Sequence, residues 1–152
     1  MIERFMNIAI KEADKGEKAG EIPIGAVIVK DGKVIAKAFN KREGLQDPTA
    51  HAEILAIRKA SKKLKSWRLD GCEMFVTLEP CPMCAGAIVN ARIKKLYYGA
   101  KESKSGSAES KFNVLQDAGL NHKVEFEGGV LGDICSEKLK RYFKCLRREK
   151  NT

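Results

Sequence analysis

No stretch of this chain approaches the roughly 20 consecutive apolar residues that span a membrane. Its opening, Met1-Ile2-Glu3-Arg4-Phe5, lacks the apolar run of a signal peptide. The expected location is cytoplasmic, with no membrane association. Cysteine is scarce and odd in number, five in 152 residues. Without a secretory signal, that count points away from a disulfide framework and towards metal binding or free thiols. Cys135 and Cys145 lie ten positions apart on one predicted helix, about 15 Å along its axis, and so cannot share a metal. Cys72, Cys135 and Cys145 are therefore assigned to the core. No linker-like run divides the chain, which at 43% hydrophobic is long enough to bury about two thirds of its unfolded surface around one core. Residues 1–152 read as a single domain. Acidic residues are in deficit, 20 against 29 Lys and Arg, and the net charge of +9 suggests a polyanionic partner.

What the chain does contain is a pair of short motifs, Pro48-Thr49-Ala50-His51-Ala52-Glu53 and Leu78-Glu79-Pro80-Cys81-Pro82-Met83-Cys84. One imidazole and two thiolates suit zinc with three protein ligands and an open fourth position. The order H-x-E then P-C-x-x-C is the signature of zinc nucleobase deaminases, and both halves match without a gap. Pro80 and Pro82 suit a helix that opens around Cys81, because the first amides of a helix have no partner to lose. Cys81 and Cys84 then share one face. Asp47 or Thr49 is expected to cap a second helix, with Pro48 near its start and His51 in its first turn. Two helix N-termini would meet at the metal, their partial positive charge favouring thiolate. Glu53 separates catalysis from a structural clip: a structural site closes its shell with a fourth Cys or His, whereas a Glu beside three ligands is placed to move protons for a bound water.

Taken in order, Met6, Ala9, Ile10 and Ala13 recur at helical spacing and predict an amphipathic helix to about Lys15 that ends near Gly16. Runs 24–29 and 34–39 flank Asp31-Gly32, the signal of an antiparallel hairpin. A polar loop, 41–47, leads to the His51 helix, which packs through Ile54, Ile57 and Leu64 and carries a solvated Lys59, Lys62, Lys63 and Lys65 face. Residues 73–78 read as a buried strand feeding the Cys81 helix, whose packing face is Ala85, Ile88 and Val89. A fourth strand at 95–99, a short helix at 112–116 and a fifth strand at 124–126 follow. Helical crossovers make strands three to five parallel. The predicted class is α/β, a three-layer α/β/α sandwich with a mixed five-stranded sheet. Sites in such sheets gather at the carboxyl ends of strands, which is where the cysteines fall. The last helix, about 133–149, is expected to pack Cys135, Leu139, Tyr142, Phe143 and Leu146 on the sheet and to turn Lys140, Lys144, Arg147 and Arg148 outward.

Asn40 after the hairpin, Asp47-Pro48-Thr49-Ala50-His51-Ala52-Glu53, Glu79-Pro80-Cys81-Pro82-Met83-Cys84-Ala85-Gly86-Ala87, Ala91-Arg92-Ile93 and Asn121-His122-Lys123-Val124-Glu125 together resemble the bacterial tRNA-specific adenosine deaminases over nearly the whole chain. The zinc motif alone marks only the wider cytidine deaminase-like superfamily; Gly99-Ala100-Lys101-Glu102-Ser103-Lys104-Ser105-Gly106, Asn121-His122 and Tyr142-Phe143-Lys144 narrow it. The resemblance implies a homodimer that converts the wobble adenosine of an arginine tRNA to inosine and releases ammonia. It also implies one Zn2+ per subunit on His51, Cys81 and Cys84, no organic cofactor, and Glu53 as proton carrier. By the same resemblance, Asn40 holds the purine edge and Ala52 meets the base through its backbone. Glu102, where the family usually has Asp, lies near the ribose. Lys104 lies near the tRNA and His122 near the anticodon loop, Tyr142 and Phe143 stack on a base, and Lys144 belongs to the basic helix that meets the RNA.

Read without the resemblance, Asn40 is as readily a strand-end turn residue. Lys104 is then a solvated loop lysine, His122 a structural histidine, Phe143 a core residue, and the basic helix face plain surface. Two other functions share the zinc pattern: a deaminase of free guanine or cytosine, whose pocket needs no basic surface, and a zinc-stabilised RNA-binding module without catalysis, against which Glu53 argues.

Overall fold

The computed structural model describes residues 1–150. Helix α1 (Ile2–Lys18) precedes the hairpin of β1 (Gly25–Lys30) and β2 (Lys33–Phe39). The hairpin turn is Asp31-Gly32, both in the left-handed region at φ 51° and 74°. That is the backbone of a two-residue turn whose twist matches the flanking strands. A single turn, α2 (Arg42–Leu45), leads to α3 (Ala52–Leu64), β3 (Cys72–Leu78), α4 (Pro82–Asn90), β4 (Lys95–Ala100), β5 (Glu125–Glu127) and α5 (Gly132–Lys150). The sheet order is β2-β1-β3-β4-β5, with β1 antiparallel to both neighbours and β3, β4 and β5 parallel. This is the mixed five-stranded sheet that the sequence predicts.

Alternation along the strands builds the three layers. Ala26, Ile28, Met74, Val76, Leu96 and Tyr98 join Ala52, Ala56, Ala85 and Ile88 of α3 and α4 in one core. Their neighbours Val27, Val29, Phe75 and Tyr97 point the other way, onto Phe5, Met6 and Ala9 of α1 and Cys135 and Leu139 of α5. Glycine sets how closely a helix approaches the sheet. A Cβ on Gly25 would overlap the Ala9 carbonyl and sit 2.7 Å from the Ala13 nitrogen. Both obstacles are α1 backbone, which cannot rotate aside. Gly25→Ala is therefore expected to lower the urea midpoint by an amount equivalent to about 1–3 kcal/mol or more, the range for overpacking a close-packed core.

Several local expectations are corrected. Helix α1 continues past Gly16 to Lys18, because the bare Gly16 backbone receives the Phe39 ring, whose Cδ1 would stand 3.0 Å from a Cβ there. The 41–47 loop contains α2, whose amides find acceptors: Arg42 N–H donates to Asn40 Oδ1 (3.1 Å), and Glu43 and Gly44 N–H donate to the Glu21 carboxylate (2.9 and 2.6 Å). No helix forms at 112–116, and the β4-to-β5 crossover is irregular. Its amides bond instead to fixed acceptors: Ser107 N–H to the Pro80 carbonyl (2.9 Å), Lys111 and Phe112 N–H to the Gly106 carbonyl (3.0 and 2.9 Å), and Val114 N–H to the Ser107 carbonyl (3.1 Å). Cys72 and Cys135 are buried as expected, but Cys145 is exposed. Phe143, expected to pack on the sheet, is 40% exposed. Only Cys135 and Leu139 of α5 are buried, and Phe143 with Arg147 lines an open groove beside Leu78 and Ala100.

Candidate active site

Strand β3 ends at Leu78, and three residues later Cys81 stands as the N-cap of α4, with Pro82 in the first helical position and Cys84 in the first turn. His51 is likewise the N-cap of α3, one step earlier than its expected place in the first turn. Asp47 does not cap the helix. Its Oδ1 accepts from the Thr49 N–H (2.8 Å) and hydroxyl (2.7 Å) in a local turn, which leaves His51 extended (φ −74°, ψ 154°) with its ring turned to the cysteines.

His51 Nδ1 lies 3.6 Å from Cys81 Sγ and 3.5 Å from Cys84 Sγ, and the three donor atoms fall within 4.8 Å of one another. A tetrahedral zinc, with bonds of about 2.3 Å to sulfur and 2.0 Å to nitrogen, separates such atoms by roughly 3.5 Å. The donors are therefore set for an ion of that size without rearrangement. Their protonation says the same. The Cys81 thiol is pushed down to about 4, chiefly by the S–H that Cys84 donates to it and further by His51. Cys84 is pushed up by being that donor, and by burial. His51 is raised by its bond to Cys81. Protons are thus held among three groups that a dication would occupy together, aided by the two helix N-termini that converge there.

Glu53 lies in the first turn of α3 and is 4% exposed. Burial, the largest influence, raises its carboxyl to about 7, and the neighbouring Cys81 thiolate adds to the rise. A carboxylate poised near neutrality beside a three-donor site, and not one of the donors, suits proton transfer. Asn40 is buried directly after β2. The next residue, Lys41, donates its N–H to the Ala50 carbonyl (3.0 Å), so this strand end lies against the segment that enters His51. Ala52 is the first residue of α3 and fully buried.

The remaining candidates divide. Glu102, Lys104 and Phe143 line a groove of about 600 Å³ with Leu78, Ala100 and Arg147, on the α1 and α5 side of the same sheet edge. The groove excludes the His51 cluster but shares with it the edge that runs from Leu78 to Cys81. Lys101, Lys104, Lys140 and Arg147 supply its cations, against Glu102 alone. The Glu102 carboxylate accepts the Lys104 N–H (2.9 Å), shaping its own loop. Tyr142 is half-buried, meets Phe143 edge-on at 5.3 Å, and opens onto a separate small cavity with Glu17 and Cys145. Lys144 is exposed. His122 is not brought to the cluster: it precedes β5, and its ring nitrogen bonds the Ile93 carbonyl (2.8 Å) at the amino end of β4, opposite the catalytic edge.

Residues 2–147 match the model of the MafB19-like deaminase family. The chain is 49% identical to the tRNA-specific adenosine deaminase of Bacillus subtilis over 148 residues, covering 97% of this chain and 92% of that protein. The chain belongs to this deaminase family, among its tRNA-specific adenosine deaminases. A solved structure from work on A-to-I editing by tRNA:A34 deaminases is similar at a TM-score of 0.87 and 44% identity, covering 90% of this chain and 99% of that one. A guanine deaminase structure from Bacillus subtilis is also similar, at a TM-score of 0.65 and 38% identity, with 96% and 93% coverage. The layered fold is thus of the cytidine deaminase-like type and the enzyme a hydrolytic deaminase.

Sequence reasoning missed Glu21 and Glu79, buried carboxylates of this deaminase that gather backbone amides. A glutamate reads as surface until the amides that converge on it are known, and those come from segments more than twenty residues away.

Proposed function

We propose that this enzyme hydrolyses the 6-amino group of the wobble adenosine in an arginine tRNA anticodon loop, giving inosine and ammonia. The observation that carries the reading is Glu53, a buried carboxyl beside the His51, Cys81 and Cys84 donors and not one of them. The near-full-length similarity to tRNA-specific adenosine deaminases supports the substrate. The donor set favours one Zn2+ per chain. When bound, zinc supplies the Lewis acidity that brings the pKa of a coordinated water near neutrality. Glu53 takes a proton from the attacking water and delivers it to N1 as oxygen bonds to C6. It then carries the remaining hydroxyl proton to the amino group, so that the C6–N bond breaks and ammonia leaves. The Ala52 backbone, directly after His51, and Asn40, next to the residue that bonds the segment entering His51, hold the purine edge.

An adenine within a stacked loop cannot be reached, so the nucleotide must be splayed out and its neighbours held. The groove bearing Glu102, Lys104 and Phe143, with Tyr142 and Lys144 on the same helix, supplies cations and aromatic faces for that purpose. His122, at the far end of β4, stands outside this group. A homodimer is part of the reading, because Met83 and Phe112 leave apolar surface exposed in and near α4. No helix among the described residues is long and apolar enough to cross a membrane, and a tRNA substrate favours the cytoplasm.

The deciding experiment supplies zinc-loaded protein with arginine tRNA anticodon stem-loop, free adenine, guanine, cytosine and adenosine. The wobble position is read as guanosine in cDNA wherever inosine has formed. Turnover of the stem-loop is expected; turnover of a free base with none of the RNA would replace this reading with a free-base deaminase. The basic face of α5 is tested by changing Lys140, Lys144, Arg147 and Arg148, all exposed, to Gln. RNA binding should weaken and the slope of log K against log salt should flatten by about 1 to 3 units, with turnover at saturation retained. An unchanged slope would make that face plain solvated surface.

A further inference from the structure

Glu79 is a carboxylate that the reaction does not use, two residues before Cys81 and 2% exposed. Its Oε2 accepts three successive backbone amides, Ala108 (3.1 Å), Glu109 (2.9 Å) and Ser110 (3.0 Å). Its Oε1 accepts the Glu102 amide (3.1 Å) and the Ser110 hydroxyl. Consecutive amides that converge on one oxygen form an anion-binding nest, here filled by the protein's own side chain. The Glu79 amide donates to the Ala100 carbonyl (2.8 Å), and the next carbonyl, Pro80, accepts from Ser107 (2.9 Å). The segment 102–110 is therefore fastened at both ends and in the middle to the two residues that lead into the metal-bearing helix. It has no regular secondary structure of its own, and it carries Glu102 and Lys104 into the groove.

We propose that Glu79 is the positioning residue of the substrate loop: it holds Glu102 and Lys104 in fixed register with Cys81, so that the RNA next to the reacting nucleotide is gripped at a set distance from the reaction centre. This rests on the RNA reading above. Gly106 is the counterpart on the loop, since a Cβ there would overlap both Glu79 Oε1 and the Glu102 carbonyl. A bare backbone at 106 is what lets the loop close over the carboxylate.

Two variants test the proposal from opposite sides. Glu79→Gln keeps the volume, removes the charge and turns an N–H donor towards donors. Gly106→Ala leaves Glu79 intact and wedges the loop off it, and it also serves if Glu79→Gln fails to fold. In either variant, KM for the anticodon stem-loop is expected to rise about 10-fold or more, with kcat within about 3-fold and zinc content unchanged, because a grip has been lost and not a proton carrier. In zinc-loaded protein without RNA, the amides of Glu102, Ala108, Glu109 and Ser110 should exchange hydrogen about 10-fold faster or more, while those of β1 and β3 stay as they were. Loss of zinc, a fall in kcat at unchanged KM, or unaltered exchange at these four amides would overturn the role of Glu79. Absence of RNA turnover in the unaltered protein would overturn the functional reading instead. The exchange measurement then decides the role of Glu79 without any substrate.

Discussion

Replacing Glu53 with alanine is expected to lower turnover of the anticodon stem-loop by about 100-fold or more while zinc content and RNA affinity persist. The expectation comes from position and burial together. Glu53 follows His51 by two residues in the first turn of α3, so its carboxyl reaches the donor cluster without completing it. It is a buried acid–base group beside the donors, and the proposed reaction moves two protons. Burial that raises its carboxyl to about 7 also means that the fold bears a cost to keep it ionised, so Glu53→Ala should not lower Tm. Single-turnover rates, metal analysis and filter binding check the three parts separately. Metal loss in Glu53→Ala would make the glutamate a fourth ligand and the centre a structural one.

The second large effect concerns the five cysteines, which should separate into three kinds. Cys81→Ser or Cys84→Ser should strip the zinc, because a hydroxyl is a far poorer ligand than a thiolate. With the metal goes the cross-link between the starts of α3 and α4, so Tm should fall as well. Cys72→Ser and Cys135→Ser should keep one zinc per chain but lose about 1–3 kcal/mol of stability, since each puts a hydroxyl into a fully or nearly fully buried apolar site. At Cys135 the thiol lies where a Cβ on Gly99 would fall, so that side chain fits against the β4 backbone itself. Cys145→Ser, at an exposed position, should change neither. Metal analysis and thermal melts across the series decide it: zinc lost on replacing Cys72, Cys135 or Cys145 while Cys84→Ser retains it would overturn the ligand assignment.

The donors, Glu53 and the sheet were legible in the sequence for a common reason: each is set by short-range geometry. Cys81 and Cys84 are three apart at a proline-marked helix start, and His51 and Glu53 are two apart at another. The Asp31-Gly32 turn forces its own hairpin. Alternation in the strands, together with helical spacing in α1 and α4, then leaves few ways to form two cores, whereas α3 packs through Ala52, Ala56 and Ala60 and Ile54 stays outside the core. What tertiary structure alone decided is everything that depends on where distant backbone finds partners. The 112–116 stretch carries a helical pattern, yet the crossover around it remains irregular, because the Glu79 carboxylate and the Pro80 carbonyl capture amides of the loop leading into it. Phe143 sits on an apolar stripe, yet stays 40% exposed because it lines the open groove beside Leu78 and Ala100 and is not covered by another element. Local pattern fixes which atoms can do chemistry; what tertiary packing leaves uncovered and the placement of buried charge determine the surface that presents a substrate to them.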